Sequence, residues 1–549
     1  MTKLLKRYLT GFLAVGLVLF SSLSLSAQDC AEGQLCKVRI DLFDGGQNSY
    51  DLPHIISANQ GTIVKNAAIS RKGQLSKRKG QELFESDLSN TAWTGLGIFN
   101  PDPNTQYILA ASGNKIIRSD ATPASWSIVN TGYANFNLTP NKNTEFLQAN
   151  DLYIILNGTD NTPIYNGTSW DPGSSSTASP PIATTAAWLR NYAFYAGNPT
   201  HPDWVYFSNN LAPRTLTSTD LFKVNTGDGQ KIVRLESFKL NELIIYKQKS
   251  IYTLDITGAT PLTDWTLQPV STAIGCAALR SVVNLGNDHW FLSSEPFAVR
   301  SLLRTSFDKL MIDMVSQPIQ DIFDGTGERV INKTVISKAC AIYFDNKYIL
   351  AIPTGTFTYN DFVLVYDFIA KAWYTIDGWY PASWIVFNNS LYYIDATDGR
   401  ALKCFGSYYS DVASGPRVTA YAETPVTPIT FEYRSKNIDF DNPENYKMPD
   451  ALEVEFGSTG NYTASVYIEI DDRGWQSVGT INLLSTSPTL PAGLPIVLSS
   501  DGIVKKTFQI QKFNEFKKIK VRVVQNGVKQ QCQLRGYTCF ATLKKWRRE

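Results

Sequence analysis

The chain has 549 residues and a formal net charge of +2, so its overall charge does not attract nucleic acid. It is too long for one compact core, and we expect two or three domains. Hydrophobic residues make up 43% and charged residues 18%, a composition typical of a globular protein. The 27 Tyr, 28 Phe and 12 Trp, against 4 Met, favour β-sheets, because pleated surfaces pack aromatic side chains well.

Residues 1–27 have the pattern of a secretory signal. Lys3, Lys6 and Arg7 precede an apolar run over residues 12–20, and small residues follow as far as Ala27. The run is short for a membrane span, which needs about 20 residues. We expect export with cleavage near Ala27. An uncleaved N-terminal anchor and an over-long gene start are the alternatives.

The sequence contains seven cysteines, an odd number that leaves at least one unpaired. Cys30 and Cys36 are close enough in sequence for a small-loop disulfide, and so are Cys532 and Cys539; both would suit an exported chain. We interpret the remaining cysteines, which lie near apolar strands, as buried thiols: Cys276, Cys340 and Cys404. Without a Cys-x-x-Cys pair or a Cys/His cluster, the sequence predicts no zinc site.

Between residues 38 and 80, a series of short turn-forming motifs separates short apolar segments. In order these are Gly45-Gly46, Asp51-Leu52-Pro53, Asn59-Gln60, Lys65-Asn66 and Leu75-Ser76-Lys77-Arg78-Lys79-Gly80. The order resembles the opening of a family of tailed-phage structural proteins, in which the segment leads into a tail β-propeller. The resemblance implies that residues 28–94 form an extended assembly arm that clamps a neighbouring subunit, with contacts at Gly45, Gly46, Pro53, Asn66, Arg78 and Gly80.

Residues 95–420 repeat one kind of unit, an apolar strand, a short turn, a second strand and an aromatic residue near a polar loop. The repeat spacing of about 40–50 residues is that of propeller blades, which bury a shared core only when packed side by side. We expect six or seven blades. Helical spacing occurs only over residues 314–323, which argues against an α/β enzyme core. Residues 198–208, Asn-Pro-Thr-His-Pro-Asp-Trp-Val-Tyr-Phe-Ser, also resemble a phrase of the phage tail propellers.

A linker rich in Pro, Thr and Ala over residues 413–429 precedes a C-terminal unit. Apolar and polar residues alternate there over 451–456, 464–470 and 518–524, and Asp472-Arg473-Gly474 and Asn526-Gly527 are hairpin signals. Residues 421–549 are therefore predicted to form a β-sandwich, jelly-roll-like in character. A sandwich after the propeller also fits the resembled family. The predicted fold is all-β, a six- or seven-bladed propeller followed by a C-terminal sandwich.

The sequence shows no pattern that predicts catalysis, a metal or a cofactor. The chain has three histidines, His54, His201 and His289, of which His201 and His289 lack the setting of a nucleophile and are interpreted as structural. Asp395 and Asp398 precede a glycine but lack the further ligands of a calcium loop, so we expect a plain turn. We predict that the chain is not an enzyme and has no small-molecule substrate.

Two basic clusters could face a DNA backbone, one with Lys77 and Lys79 and one at the C-terminus with Arg547 and Arg548. The alternative is a solvated turn and a solvated tail. If the protein lines a DNA passage, the clusters would matter only where they face the lumen.

The first functional hypothesis is a non-enzymatic virion protein of a phage tail, a hub, nozzle or stopper component that forms a ring of identical copies beside other tail proteins. The second is an exported periplasmic or surface propeller that binds a protein or glycan, with aromatic residues either stacking on sugars or closing blades: Trp126, Trp170, Trp265 and Trp373. A third, a propeller hydrolase, would need paired carboxylates at the central pore. The signal-like leader departs from the resembled family, whose members are made in the cytoplasm.

Overall fold

The structure, a computed structural model, describes residues 32–84, 93–120, 126–130, 138–176, 178–304, 309–412, 426–484 and 502–544. The leader, Cys30, the Trp126 side chain, Arg547 and Arg548 lie outside the described residues. The regular secondary structure of the described chain is almost entirely β-strand, as the composition predicts. Its helical elements are one short helix, α1 (Asp321–Asp324), and two 3-10 turns, Gln317–Ile319 and Ile336–Lys338. The helix predicted from residue 314 begins only at Gln317, because Leu310–Met314 is a strand.

Seven groups of antiparallel strands in the described chain have the form of propeller blades, and the first six are made of strands consecutive in sequence. The first blade contains β7 (Trp93–Asp102), β8 (Thr105–Ser112), β9 (Lys115–Asp120) and β10 (Trp126–Ile128), and the second contains β11 (Glu145–Ala149), β12 (Leu152–Leu156), β13 (Ile164–Tyr165) and β14 (Trp170–Asp171). The third contains β15 (Thr185–Leu189), β16 (Tyr192–Ala196), β17 (Trp204–Phe207) and β18 (Leu221–Lys223). The fourth contains β19 (Ile232–Phe238), β20 (Glu242–Lys247), β21 (Ile251–Asp255) and β22 (Thr266–Ser271).

The last three blades are less regular. The fifth has a divided inner edge, the sixth runs on into the C-terminal domain, and the seventh takes three strands from this part of the chain. The fifth blade contains β23 (Gly275–Cys276), β24 (Val283–Asn284), β25 (Asp288–Ser294), β26 (Ala298–Arg304) and β27 (Leu310–Met314). The sixth contains β28 (Cys340–Phe344), β29 (Lys347–Ile352), β30 (Phe362–Asp367) and β31 (Ala372–Asp377). The seventh contains β32 (Pro381–Phe387), β33 (Ser390–Asp395) and β34 (Ala401–Lys403).

The inner strands of successive blades touch in a closed circle. β7 contacts β11, β11 contacts β15, and the contacts continue through β19, β24, β28 and β32 back to β7. A circle of blades leaves only short edges exposed, which is how an all-β chain avoids open sheet edges. The all-β propeller predicted from the sequence is thus confirmed, and seven groups of strands in the described residues have the form of blades.

The C-terminal domain is a sandwich of two sheets, as predicted, but the N-terminal segment contributes to both. A separate two-stranded sheet, β35 (Ser410–Asp411) and β36 (Thr427–Pro428), precedes it. The C-terminal strands of the sandwich are β37 (Phe431–Ser435), β38 (Lys447–Gly457), β39 (Thr463–Ile470), β40 (Trp475–Asn482), β41 (Ile503–Gln509), β42 (Ile519–Gln525) and β43 (Gln533–Leu543). The N-terminal strands are β1 (Leu35–Ile40), β2 (Gly46–Gln47), β3 (Gln60–Lys65), β4 (Ala67–Ile69), β5 (Leu75–Lys77) and β6 (Glu82–Leu83).

The expectation that residues 28–94 form an extended arm is wrong for the part that the structure describes. β1 and β5 pair with β43, and β3 pairs with β37, so the segment supplies strands to both sandwich sheets. β3 also pairs in parallel with β31, which joins the sixth blade to one sandwich sheet. β6 pairs with β34 and supplies the outer strand of the seventh blade. The segment therefore closes the propeller and the sandwich together.

One hydrophobic cluster crosses from the sandwich into the propeller. It joins Val523 and Phe456, from the two sandwich sheets, to Val363 of the sixth blade and Tyr393 of the seventh. All four side chains are fully buried. Close-packed interiors transmit strain and resist sliding, so the two domains share a core and form one continuous body.

Two smaller expectations for the sandwich are corrected. Cys532 and Cys539 are buried free thiols and form no disulfide. Cys36 is disulfide-bonded, with its partner outside the described residues, and the other free thiols are Cys276, Cys340 and Cys404. Asp472-Arg473-Gly474 makes the predicted hairpin between β39 and β40, but Asn526-Gly527 does not, because the chain there crosses from one sandwich sheet to the other.

A buried histidine links the fourth and fifth blades. His289 is fully buried, its Nε2 lies 3.2 Å from the carbonyl oxygen of Ser237, and its Nδ1 lies 3.0 Å from the Tyr246 hydroxyl. A carbonyl oxygen only accepts, so Nε2 carries the hydrogen and Nδ1 accepts from Tyr246. Burial lowers the pKa of His289 to about 4, which keeps the ring neutral.

We predict that His289 makes the fold acid-sensitive. In the unfolded chain the ring titrates near pH 6.5, whereas the folded ring resists protonation until about pH 4. The unfolded state therefore binds more protons in this window, and the free energy of unfolding should fall by about 3 kcal/mol as the pH drops through it. His289→Gln keeps a neutral donor and acceptor and should remove this component in denaturation curves recorded from pH 7 to 4.

The control compares the wild type and His289→Gln between about pH 9 and 8, above both pKa values of His289, where the two proteins should show equal slopes. Equal slopes for the wild type and His289→Gln between pH 6.5 and 4 would contradict the prediction.

Candidate functional site: the propeller–sandwich junction

The centre of the junction is the buried guanidinium of Arg78, which is 2% exposed. It donates to both carboxylate oxygens of Asp411, at 2.9 and 2.7 Å, and to the Asn66 side chain at 2.9 Å. Its other hydrogens go to the carbonyl oxygens of Asp377, at 2.9 Å, and Lys79, at 3.2 Å. All five donor hydrogens are therefore used, the condition under which a buried arginine is tolerated.

Two further side chains contact the guanidinium, Asn66 from the N-terminal segment and Trp379 from the chain after the sixth blade. Asn66 has a positive φ of 53° and also donates to the Asp377 carboxylate and to the carbonyl oxygen of Thr430, at the start of the sandwich. The ring of Trp379, fully buried after the sixth blade, lies 4.7 Å from the Arg78 guanidinium carbon. A cation over a desolvated indole face adds to the ion pair. The Arg78 side chain thus joins the N-terminal segment to the end of the sixth blade and to Asp411, which follows the seventh blade, and Asn66 extends the link to the sandwich at Thr430.

The glycines of the opening motif sit where chains approach closely. A Cβ on Gly80 would overlap the carbonyl oxygen of Ser410, and one on Gly46, at a φ of 62°, would overlap that of Trp373. A Cβ on Gly45 would lie 2.7 Å from Gln60 Cγ. Pro53 accepts a 2.9 Å hydrogen bond from the Asn437 amide of the sandwich. All six candidate contacts of the arm are thus contacts within this chain.

The prediction that Lys77 faces DNA is wrong. Its side chain is 2% exposed, and its ammonium donates to Gln525 Oε1 at 2.7 Å and to the carbonyl oxygen of Gly527 at 3.0 Å. Burial lowers the pKa of Lys77 to about 8. Lys79 is exposed, so it stays a candidate for solvent or polyanion contact.

A cleft of about 580 Å³ opens beside the junction, between the sandwich face and the loop that follows α1. Its floor carries Glu432, which is ion-paired with Lys65, Arg434 and Arg522. Burial favours a raised pKa for Glu432, but Lys65 and Arg434 hold it below the usual value. Trp475 lies at the rim. These ion pairs fix the charged side chains on the floor of the cleft.

Arg280 fills one level of the propeller's central channel. Its guanidinium is bound to the Glu145 carboxylate, and it donates to the carbonyl oxygens of Thr94, Thr144 and Ala382 at 2.9 to 3.1 Å. Those acceptors belong to the first, second and seventh blades. The Arg280 side chain therefore connects the inner parts of these three blades.

The channel also contains Glu145 and Glu236 near one another, in a space of about 300 Å³. Arg234 is ion-paired with both carboxylates, at 3.5 and 2.8 Å. A glycosidase pair needs one carboxyl group that can donate a proton and one that is free to attack or to activate water. Both carboxylates of this pair are instead held by guanidinium groups.

Other candidates from the sequence have structural roles. The tryptophans described, Trp170, Trp265 and Trp373, are 7%, 5% and 1% exposed, and each indole nitrogen donates to a backbone carbonyl of its own blade region or a neighbouring one. They close blades, which was one of the two interpretations. Asp395 and Asp398 form a turn in which Asp395 accepts from Thr397 and Asp398 pairs with Arg400.

Two further observations bound the chemistry of the described residues. They contain no helix long and apolar enough to cross a membrane. They also contain no group of three or more His, Cys, Asp or Glu side chains placed to hold a metal ion.

The sequence matches no family model and no curated protein. Solved structures with partial similarity include the computationally designed Ika8 protein, 11% identical, with a TM-score of 0.37 over 59% of this chain and 100% of that one. A calcium-binding protein, regucalcin, from Agrobacterium tumefaciens is 8% identical, with a TM-score of 0.31 over 60% of this chain and 93% of that one. An exo-β-1,3-galactanase from Phanerochaete chrysosporium is 9% identical, with a TM-score of 0.23 over 84% and 100%.

The junction partners of Arg78 were missed by sequence reasoning. Asp411 lies 333 residues away, and Asp377 and Trp379 lie at the end of a blade strand that looks like the others. The sequence motif identified Asn66 and Gly80 as candidate contact residues, but not the other partners of the Arg78 side chain. No local pattern identifies Arg280 or Glu145 either, because both are single charges beside ordinary strands.

We predict that Arg78→Ala destabilises the fold by about 3–5 kcal/mol, because it leaves the Asp411 carboxylate buried without its cation. Arg78→Lys should cost a similar amount, since an ammonium cannot replace five donors in a planar fork. The free energy of unfolding from denaturant titration checks both variants. Lys79→Ala, one residue along and exposed, is the matched control and should change stability by less than about 0.5 kcal/mol. A loss below about 1 kcal/mol for Arg78→Ala would contradict the assignment.

Proposed function

We propose that this chain is a non-enzymatic structural protein of a tailed-phage virion, a tail component that assembles into a ring with copies of itself beside other tail proteins. The observation that carries the proposal is the role of the resembling motif. The motif residues Asn66, Arg78 and Gly80 bind the propeller and the sandwich into one body. A motif of that kind preserves a rigid shape, which a subunit needs when it transmits load to its neighbours.

The surface of the N-terminal segment supports assembly. Tyr50, Leu52 and Ile55 are 42%, 61% and 62% exposed within six residues of chain. Their loop is held by backbone bonds, among them Ile55 N to Leu52 O and Asn437 N to Pro53 O, both at 2.9 Å. Large apolar side chains on a fixed surface mark contact sites. In a ring this loop would meet a neighbouring subunit.

A second candidate is an exported propeller that binds a protein or glycan partner. The disulfide of Cys36 favours it, because disulfides persist in oxidising compartments and are rare in the cytosol. The signal-like leader favours it too. The two candidates differ in where the mature chain is found.

Fractionation of the producing cells distinguishes the candidates. Released particles are banded on a density gradient, and peptides are measured in the particle, periplasmic and membrane fractions. We expect peptides of this chain to band with portal and capsid proteins, and ring-shaped assemblies in micrographs of the same fraction. An abundant cytosolic host protein serves as the contamination marker. Recovery of the chain only in the periplasm or membrane, with a new N-terminus at or near Gln28, would overturn the virion proposal.

A further inference from the structure

A groove of about 410 Å³ lies on the outer part of the propeller, between the second and third blades. One wall carries the rings of His201, Trp204 and Tyr206, from β17 and the loop before it. The opposite wall carries Ser174, Ser175 and Ser176, from the chain that follows β14. The three rings belong to the segment 198–208, the second stretch that resembles the phage tail propellers. Neither the junction nor the channel accounts for this segment.

Contacts within the chain already hold the three rings of this wall in place without a ligand. The His201 ring stacks on Trp204 with centroids 3.8 Å apart and planes 20° apart, and Tyr206 lies 6.0 Å from Trp204. Asn198 sets the loop, because its side chain accepts from the His201 amide at 3.0 Å and donates to the carbonyl oxygen of Ile182 at 2.9 Å. A preorganised wall avoids the entropy cost of ordering side chains on binding.

The lining of the groove is mostly polar and uncharged, with one cation beside it. None of the residues that line it in the described chain is Asp, Glu, Lys or Arg, although the Lys223 ammonium lies 4.8 Å from the Trp204 ring centroid nearby. Ser174 and Ser176 accept hydrogen bonds from the amides of Ser176 and Ala178, so each retains a hydroxyl hydrogen to donate. Burial raises the pKa of Tyr206, which keeps its hydroxyl protonated at neutral pH.

We infer that this interblade groove binds a neutral oligosaccharide. Aromatic faces carry negative charge density and attract the C–H edges of a sugar ring, while hydroxyl donors and acceptors on the other wall match sugar hydroxyls. The described lining contains no Asp, Glu, Lys or Arg, and Lys223 supplies one cation beside the Trp204 ring, so the groove fits a neutral sugar better than a phosphate or an acidic sugar. The volume lies within the range of small-ligand sites, about 300–1,000 Å³. The inference is independent of whether the chain is a virion protein or an exported one.

Saturation-transfer NMR on the full chain tests this site with maltotriose, cellotriose and chitotriose, and with sialyllactose as the acidic probe. At least one neutral trisaccharide should bind with a Kd of about 1 mM or tighter. Trp204→Ala should weaken that binding about tenfold or more, whereas Tyr206→Phe, which keeps the ring and loses the hydroxyl, should weaken it less. Ser175→Arg, at an exposed serine of the opposite wall, should block the groove without disturbing the rings.

Trp475→Ala, in the cleft beside the junction, is the matched control and should leave binding unchanged. Thermal denaturation of each variant shows whether it is folded, and Ser175→Arg carries the test if Trp204→Ala is not. The inference is overturned if no neutral trisaccharide binds below about 10 mM, if only sialyllactose binds, or if Trp475→Ala loses as much affinity as Trp204→Ala.

Discussion

The buried ion pair between Arg78 and Asp411 is the contact on which the arrangement of the two domains depends. Asp411 receives the guanidinium, the Gln81 amide at 3.1 Å and the Trp379 indole nitrogen at 3.3 Å. A buried charge pair is stabilising only when nearly every donor and acceptor is satisfied, and removal of one member leaves a costly isolated charge. Both domains therefore keep one relative orientation, because any slip would break several of these bonds at once.

The N-terminal segment makes this pair possible. It adds strands to both sandwich sheets, pairs with the sixth blade through β3 and completes the seventh through β6. A propeller whose last blade is completed from the other end of the chain is closed by hydrogen bonds across a long sequence distance. Here the closing strand is also part of the sandwich connection, so ring closure and domain attachment are formed by the same residues. That coupling favours a body whose parts move together.

Local patterns predicted the elements well and their partners poorly. The alternation over residues 464–470 and 518–524 matches β39 and β42, and the repeated strand pairs match the blades. The basic run at Lys77 and Arg78 looked like a solvated turn or a DNA contact because such runs are mostly exposed. It is buried because Gln525 and Asp411, 448 and 333 residues away, supply acceptors. A pattern read along the chain carries no information about partners at that distance. Of the aromatic groove, only the segment 198–208 was identified from the sequence. The serines of the opposite wall were missed because they belong to another blade.

Hydrogen–deuterium exchange across a guanidinium chloride series measures whether the two domains are one cooperative unit. The comparison is between amides of β33, in the seventh blade, and of β42, in the sandwich, which share a core and the junction. Loss of protection in both strands over the same denaturant range is the expected result, because opening either domain breaks the junction and its shared core. Exchange in β42 at a clearly lower denaturant concentration, with β33 still protected, would contradict the single body described here.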